Sequence, residues 1–300
     1  MSNFKKWLSA FRLRTLPLSL SGIIIAGSLA EYNGVFKLST FVLALLTTIS
    51  LQILSNIAND YGDGTKGTDN DDRIGPKRAI QSGDISPSQM FSAIKINILI
   101  TILLAFLLVF TSFGSKNVLL AFIFIGLGVL SIYAALKYTV GDNPYGYKGL
   151  GDIFVFVFFG LVSVIGCYIL FAKKIDHITI LPAFTIGLLS VGVLNLNNLR
   201  DIESDRKANK NTIAVKLGFN KAKRYHYTLI GLAILSSFMY GILYYVSIWN
   251  IVFFITYIPL IAHILRVKRT TNPVNLDPEL KKLALTTFLL SVLLAIGHLL

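Results

Sequence analysis

Charge, cysteine and histidine are all scarce in this chain. Only 14% of its 300 residues are Asp, Glu, Lys or Arg, where a soluble domain carries about a quarter; a chain wetted over its whole surface is excluded. The single cysteine, Cys167, lies inside an apolar run. It rules out a disulfide framework and a cysteine-based zinc site, and a lone thiol in such a run reads as packing. The four histidines, His177, His226, His263 and His298, are scattered, which removes a histidine-rich metal site. Neither a G-x-x-x-x-G-K-[ST] loop nor a G-x-S-x-G elbow occurs, so P-loop and α/β-hydrolase chemistry drop out. What remains is apolar: 54% hydrophobic residues, with a mean hydropathy of +0.67. A soluble fold of this length cannot bury so much apolar surface, whereas a bilayer can.

A hydrocarbon core about 30 Å thick needs about 20 helical residues to cross it. Nine apolar runs approach that length, at residues 16–30, 38–58, 91–113, 118–137, 153–171, 178–199, 227–246, 249–265 and 283–300. They predict an all-α, polytopic membrane protein of about nine transmembrane helices, one domain over residues 1–300. The first run follows Arg12 and Arg14 and ends in Ser28-Leu29-Ala30, a small-x-small pattern of signal-peptide type. Arg14-Thr15-Leu16-Pro17 reads instead as an interfacial Arg and then a helix start with proline in its first turn.

Lys and Arg concentrate on the cytoplasmic side of membrane proteins. Of the 28 here, all but Lys37, Lys116, Lys173 and Lys174 fall with the N-terminus or with the loops after the second, fourth, sixth and eighth runs. That partition predicts a cytoplasmic N-terminus, an external C-terminus and multi-pass insertion in the inner (plasma) membrane. The net charge of +13 is thus a topology signal, and no nucleic-acid partner is expected despite it.

Of the 15 acidic residues only Glu31 and Asp176 lie on the external side. The others cluster chiefly in two loops, residues 55–83 and 196–218. Each passes from an apolar helix through Asn and spaced carboxylates to Lys or Arg and then Gly, a similarity that suggests an internal repeat. If the helices run on past the membrane surface, Asn56, Asp60 and Asp63 fall at i, i+4, i+7, with Asn59 four before Asp63. Asn198, Asp201 and Asp205 fall at i, i+3, i+7, and each set lines one helical face. Two faces with two carboxylates each suit a hard cation that keeps part of its water, as Mg²⁺ does on a polyphosphate. Without a cation these like charges repel. Lys66, Arg73, Lys77 and Arg78 beside one set, and Arg200, Arg206, Lys207 and Lys210 beside the other, are suited to phosphate oxygens. The plainer alternative is a solvated anchor of ordinary turn residues, which is how Asp69, Asp71 and Asp72 read. A third loop, residues 137–152, holds Tyr138, Tyr145, Tyr147 and Lys148, which either face the same site or sit as interfacial aromatics.

NDYGD at 59–63 after an apolar helix, with DIESD at 201–205 four spans later and nine spans in all, resembles the UbiA superfamily of intramembrane aromatic prenyltransferases over essentially the whole chain. RTLP at 14–17, the stretch 58–83 with its GTDNDDRIGP insert, YGYKGLGD at 145–152 and the stretch 196–218 look like the branch that prenylates 1,4-dihydroxy-2-naphthoate in menaquinone synthesis. The resemblance implies a bundle around a central cavity, open sideways to lipid, with its active site facing the cytoplasm. It implies transfer of a polyprenyl group from polyprenyl diphosphate to that bicyclic aromatic acid, with loss of CO₂ and diphosphate, giving demethylmenaquinol.

Carried over residue by residue, the resemblance implies that Asp60, Asp63, Asp201 and Asp205 hold Mg²⁺, as two ions, on the diphosphate, with Asn59 and Asn198 beside them on the substrate. Lys66, Arg73, Arg78, Lys148 and Lys210 contact phosphate oxygens. Tyr138 faces the allylic carbon and joins Lys148 in the catalytic set, and Tyr147 binds substrate with it. Gly67 departs from the pattern, since many members carry a further acid there; Asp69 is the carboxylate that can stand in. Two rival readings stay open. One is a relative acting on another aromatic such as 4-hydroxybenzoate. The other is a secondary transporter with intramembrane acids, against which the position of these acids at helix ends speaks.

Overall fold

A computed structural model describes residues 3–69 and 74–300. Among these residues nine helices are long and apolar enough to cross a membrane, and no strand forms. They are Phe4–Tyr32, Leu38–Thr65, Pro87–Phe113, Val118–Lys137, Gly151–Ala172, His177–Arg200, Phe219–Leu243, Ile248–Arg269 and Pro273–Leu299, here the first to ninth spans. Each expected run has its helix, and the chain is a multi-pass membrane protein. Leu99, Leu103, Phe106 and Phe110 on the third span and Leu119, Phe122 and Val129 on the fourth are exposed. Such a belt is stable only against hydrocarbon.

Local chemistry fixes where the helices start and break. The third span opens with a capping box: the Ser86 hydroxyl accepts from Gln89 N, and the Gln89 side chain accepts from Ser86 N. The first span is interrupted at Arg12, which takes the left-handed conformation with φ 49° between the helix Asn3–Phe11 and a 3-10 turn at Leu13–Thr15. A non-glycine residue rarely sits there; here the break turns Arg12 toward the interior. The fifth span is α-helical only at its ends, with a π-helix over Phe156–Gly166. It lies so close to the sixth span that a Cβ on Gly160 would come within 2.6 Å of the Ala183 carbonyl oxygen and 2.8 Å of Gly187 Cα. Only glycine permits that approach.

The first six spans and the ninth surround a cavity of about 1200 Å³. The seventh packs against the sixth and the eighth against the ninth, outside the cavity wall. The ninth span is fastened at its first turn, where Glu279 hydrogen-bonds His263 at 2.7 Å and accepts from Arg266 at 2.8 Å and from Lys282 at 2.7 Å.

Candidate active site

The second span carries its acids on one buried face. Asn56, Asp60 and Asp63 are 4%, 1% and 2% exposed, and the helix runs unbroken through them to Thr65, as their spacing predicts. The matching continuation of the sixth span does not occur. Its helix stops at Arg200, Asp201 caps it, and a separate short helix covers Ile202–Lys207. The cause is the buried Arg200 guanidinium, which donates from Nε to Asp201 Oδ1 at 2.9 Å and from Nη2 to Asp201 Oδ2 at 2.6 Å. Adjacent side chains on a continuous helix do not face each other, so this bidentate pair forms only with the helix broken between them. Arg200 also donates to Asn197 at 2.9 Å and to Asp277 at 2.6 Å, joining the sixth span to the ninth.

The two acidic segments meet through cations. Lys210 Nζ stands 3.4 Å from Asp63 Oδ2 and 3.8 Å from Asp205 Oδ1. Arg78 lies 3.3 Å from Asp63 and 3.2 Å from Asp69, and Arg12 lies 3.7 Å from Asp60, which also accepts from Ala79 N at 3.2 Å. Asp69, read first as a turn residue, is thus buried within the charged cluster. Tyr147 donates its hydroxyl proton to Asp63 Oδ1 at 2.8 Å. Burial pushes the Asp205 carboxyl up to about 6; Lys210 pulls it back, and Asp201 and Asp63 add to the rise. Burial works against the Lys210 charge, but Asp63 and Asp205 outweigh it and hold the ammonium above the usual lysine value. Tyr138, pushed up to about 12 chiefly by burial, stays a neutral phenol at ordinary pH.

Aromatic rings adjoin the charges. Tyr138 meets Tyr145 edge to face at 5.4 Å, and Tyr145 stacks on Phe154 at 3.9 Å; all three line the cavity with Phe158 and Phe159. Among the described residues no three His, Cys, Asp or Glu side chains close into a metal cage. A cation bound by one or two carboxylates and otherwise by substrate phosphates needs none. The oxygen-only donor set of Asp60, Asp63, Asp201 and Asp205 fits a hard ion of that kind; Asp60 and Asp63 line the cavity, whereas Asp205 and Asp201, the latter accepting from Arg200 at both of its oxygens, do not.

Other expected residues are distributed unevenly. Asn59 lines the cavity and accepts from the Thr139 hydroxyl at 3.2 Å. Asn198 is buried, but its neighbour Asn197 is the one that reaches the cavity, because the sixth span turns that face inward. Lys66 points to the adjoining loop, donating to the carbonyls of Thr139 at 2.8 Å and Gly141 at 2.6 Å. Lys148 is exposed and does not line the cavity. Its stretch docks on residues 209–216 through Asn211 N to Tyr147 O at 2.9 Å and Lys216 Nζ to Lys148 O at 2.7 Å, which leaves its side chain in solvent. Tyr147 acts on Asp63 rather than on the cavity wall. Arg73, with Asp71 and Asp72, lies outside the described residues. Arg12 and Asp277 were not singled out by spacing; each stands alone in sequence and reaches the cluster only through the fold.

The chain matches the profile of the UbiA prenyltransferase family over residues 20–295. The 1,4-dihydroxy-2-naphthoate octaprenyltransferase of Haemophilus influenzae is 43% identical over 296 residues, covering 98% of this chain and 95% of that one. That of Escherichia coli is 42% identical over 297 residues, covering 99% and 96%. Among solved structures, a UbiA homolog from Aeropyrum pernix superposes with a TM-score of 0.69 at 17% identity, covering 96% of this chain and 98% of that one. A UbiA homolog from Archaeoglobus fulgidus bound to GPP and Mg²⁺ superposes with a TM-score of 0.63 at 15% identity, covering 98% of each.

Proposed function

The chain belongs to the UbiA prenyltransferase family, and we propose that it transfers a polyprenyl group from polyprenyl diphosphate to 1,4-dihydroxy-2-naphthoate, releasing CO₂ and diphosphate and leaving demethylmenaquinol. One observation carries this reading: a single cavity joins a charged end, with Asp60, Asp63, Arg78 and Lys210, to an apolar body reaching Leu108, Phe124 and Leu170. That shape accepts an amphipathic substrate with an anionic head and a hydrocarbon tail. The naphthoate acceptor is supported by the names of the relatives similar over nearly the whole chain, and metal dependence by the related archaeal protein bound to Mg²⁺. We assign the site to the cytoplasmic face of the inner membrane on the partition of Lys and Arg. Residues 1–300 are taken as one domain because the cavity draws walls from both ends of the chain.

Asp60, Asp63, Asp201 and Asp205 are the residues suited to hold Mg²⁺, as two ions, and the metal supplies positive charge to the leaving group when bound. Arg78 and Lys210 donate to diphosphate oxygens, and Asn59 and Asn197 supply neutral polar contacts at the rim. Scission of the allylic C–O bond sends its electron pair to the diphosphate. The faces of Tyr138, Tyr145 and Phe154 stabilise the allylic cation, and the apolar walls keep water from trapping it. The naphthoate ring carbon bearing the carboxylate then forms the new C–C bond. Its bond to the carboxylate breaks, the electron pair restores the aromatic ring, and CO₂ departs. No proton leaves that carbon, so no base is required there.

Carboxyl-labelled 1,4-dihydroxy-2-naphthoate tests the reading directly. With polyprenyl diphosphate and Mg²⁺, one labelled CO₂ should appear per prenyl group transferred. An enzyme for 4-hydroxybenzoate substitutes at a ring C–H and keeps the carboxylate, so label retained in the prenylated product would reject the assignment. A transporter would show no turnover in detergent.

A further inference from the structure

We infer that the π-helical fifth span, through Gly166, and the facing fourth span, through Gly128, set the length of prenyl tail the cavity accepts. This rests on the prenyl-transfer reading and goes beyond it, to the residues that choose among tails.

The first observation is a periodicity. On the fifth span the cavity-lining residues recur every four positions: Phe154, Phe158, Val162, Gly166 and Leu170 form one ridge. A second ridge, one residue further on, runs Val155, Phe159, Ser163 and Cys167. In an α-helix each step of four turns the side chain about 40° further round the axis, so four steps swing it about 160° and carry it out of the cavity. The π-helix at Phe156–Gly166, closed by i→i+5 bonds, advances less per residue and cancels that swing. One span therefore lines the cavity from the charged end, where Phe154 meets Tyr145, to the far end at Leu170.

The second observation is what occupies the ridges. Aromatic rings lie nearest the charges, and small residues follow at Ser163, Gly166 and Cys167. Glycine inside a helix is destabilising relative to alanine, and in a cavity wall it is the residue that takes up least of the cavity. Close packing requires it at Gly160 and Gly187, because a Cβ on either would come within 2.8 Å of the other's span. At Gly166 and Gly128 it does not. A Cβ at Gly166 meets only Val162, at 3.6 Å from Cγ1 and 3.9 Å from Cβ, and one at Gly128 meets only Ala105 Cβ at 3.7 Å, all ordinary contacts. No neighbour demands glycine at either position, and both line the cavity. What they keep open is cavity volume along the path of the tail. Gly128 lies nine residues from the acidic end of its span and Gly166 fifteen from that end of its own, so they act at successive depths.

The test is the tail-length profile of the full-length protein in detergent with Mg²⁺ and the naphthoate, using geranyl, geranylgeranyl and octaprenyl diphosphates. Gly166→Leu should lower kcat/KM for octaprenyl relative to geranyl diphosphate by at least about tenfold, the scale of a few methylenes excluded from an apolar pocket. Gly128→Leu should extend the loss to geranylgeranyl diphosphate, and it carries the test if Gly166→Leu fails to fold. Gly126→Leu is the control, since Gly126 is exposed and meets nothing within 4 Å; its profile should match the wild type. A folded Gly166→Leu or Gly128→Leu protein with an unchanged profile, or with an equal fall for every tail, would overturn the inference. A wild-type protein that turns over none of the three would instead overturn the functional reading.

Discussion

Replacing Lys210 by methionine removes the cation between the two acidic segments while keeping a side chain of similar length. At 3.4 Å from Asp63 and 3.8 Å from Asp205, with an effective dielectric of about 20, each attraction is about 4–5 kcal/mol before desolvation is counted. The net cost of deleting one partner from a buried cluster is about 3–5 kcal/mol, because the other charges are left uncompensated. Asp205, which burial already pushes up to about 6, then rises further. The assay is thermal unfolding in detergent, once with EDTA and once with Mg²⁺. In EDTA the variant should unfold well below the wild type. A ligand present at about a hundred times its Kd stabilises the folded state by about 2.7 kcal/mol, and the variant, having lost its internal cation, should gain more from Mg²⁺ than the wild type does. Turnover should be lost in both conditions, since Lys210 also contacts the diphosphate. Equal stability in EDTA, or equal gains from Mg²⁺, would refute the view that Lys210 occupies the charge position a metal would otherwise balance.

The remaining predictions follow from the same geometry. Asp60→Ala and Asp201→Ala should each lower turnover by about a hundredfold or more while the protein stays folded, and EDTA should silence the wild type; Asp176→Ala, distant from the cavity, should keep its turnover. Cysteines placed at Asn143 and Asn209 should label from the cytoplasm and those at Asn33 and Asn117 from outside, and finding Asn143 and Asn209 on opposite sides would sink the shared site. In metal-free protein the raised carboxyl of Asp205 makes its ionisation costly in the folded state. That cost is absent below the ordinary aspartate value and complete above about pH 6, so it removes about 3 kcal/mol of stability as pH rises through that window. Asp205→Asn should flatten this part of the stability profile, measured as the difference between the two proteins.

The bundle and half of the site are legible in the sequence for physical reasons. Apolar runs of spanning length leave no alternative to helices in lipid, and Asp60 and Asp63 share a face because the second span is an ordinary helix through Thr65. Asp201 and Asp205 reach the same cluster by a different route, since the Arg200 pair breaks the helix that spacing alone would extend. Lys148 and Lys66 show the limit of composition: a cation near a site in sequence is suited to phosphate, but loop carbonyls and neighbouring segments decide where its ammonium ends. Arg12 and Asp277 show the converse. Each is a solitary charge that becomes part of the cluster only because the first and ninth spans close the bundle beside the second and sixth. The π-helix has no sequence signature here that distinguishes Phe156–Gly166 from any other apolar helix.

The charge pairing within the cluster couples its two ligands. Asp60, Asp63, Asp69, Asp201 and Asp205 face Arg12, Arg78, Arg200 and Lys210, so in the resting cluster carboxylates and cations are engaged with one another. A diphosphate arriving alone meets Lys and Arg already paired with carboxylates, and a metal arriving alone meets carboxylates already paired with Lys and Arg. Either ligand is therefore held weakly by itself, and each supplies what the other lacks. Linkage makes the coupling reciprocal: the factor by which Mg²⁺ tightens diphosphate binding equals the factor by which diphosphate tightens Mg²⁺ binding. A site with no closed metal cage among the described residues suits that coupling, because one that held its metal tightly without substrate would give up what brings the two together at the allylic carbon.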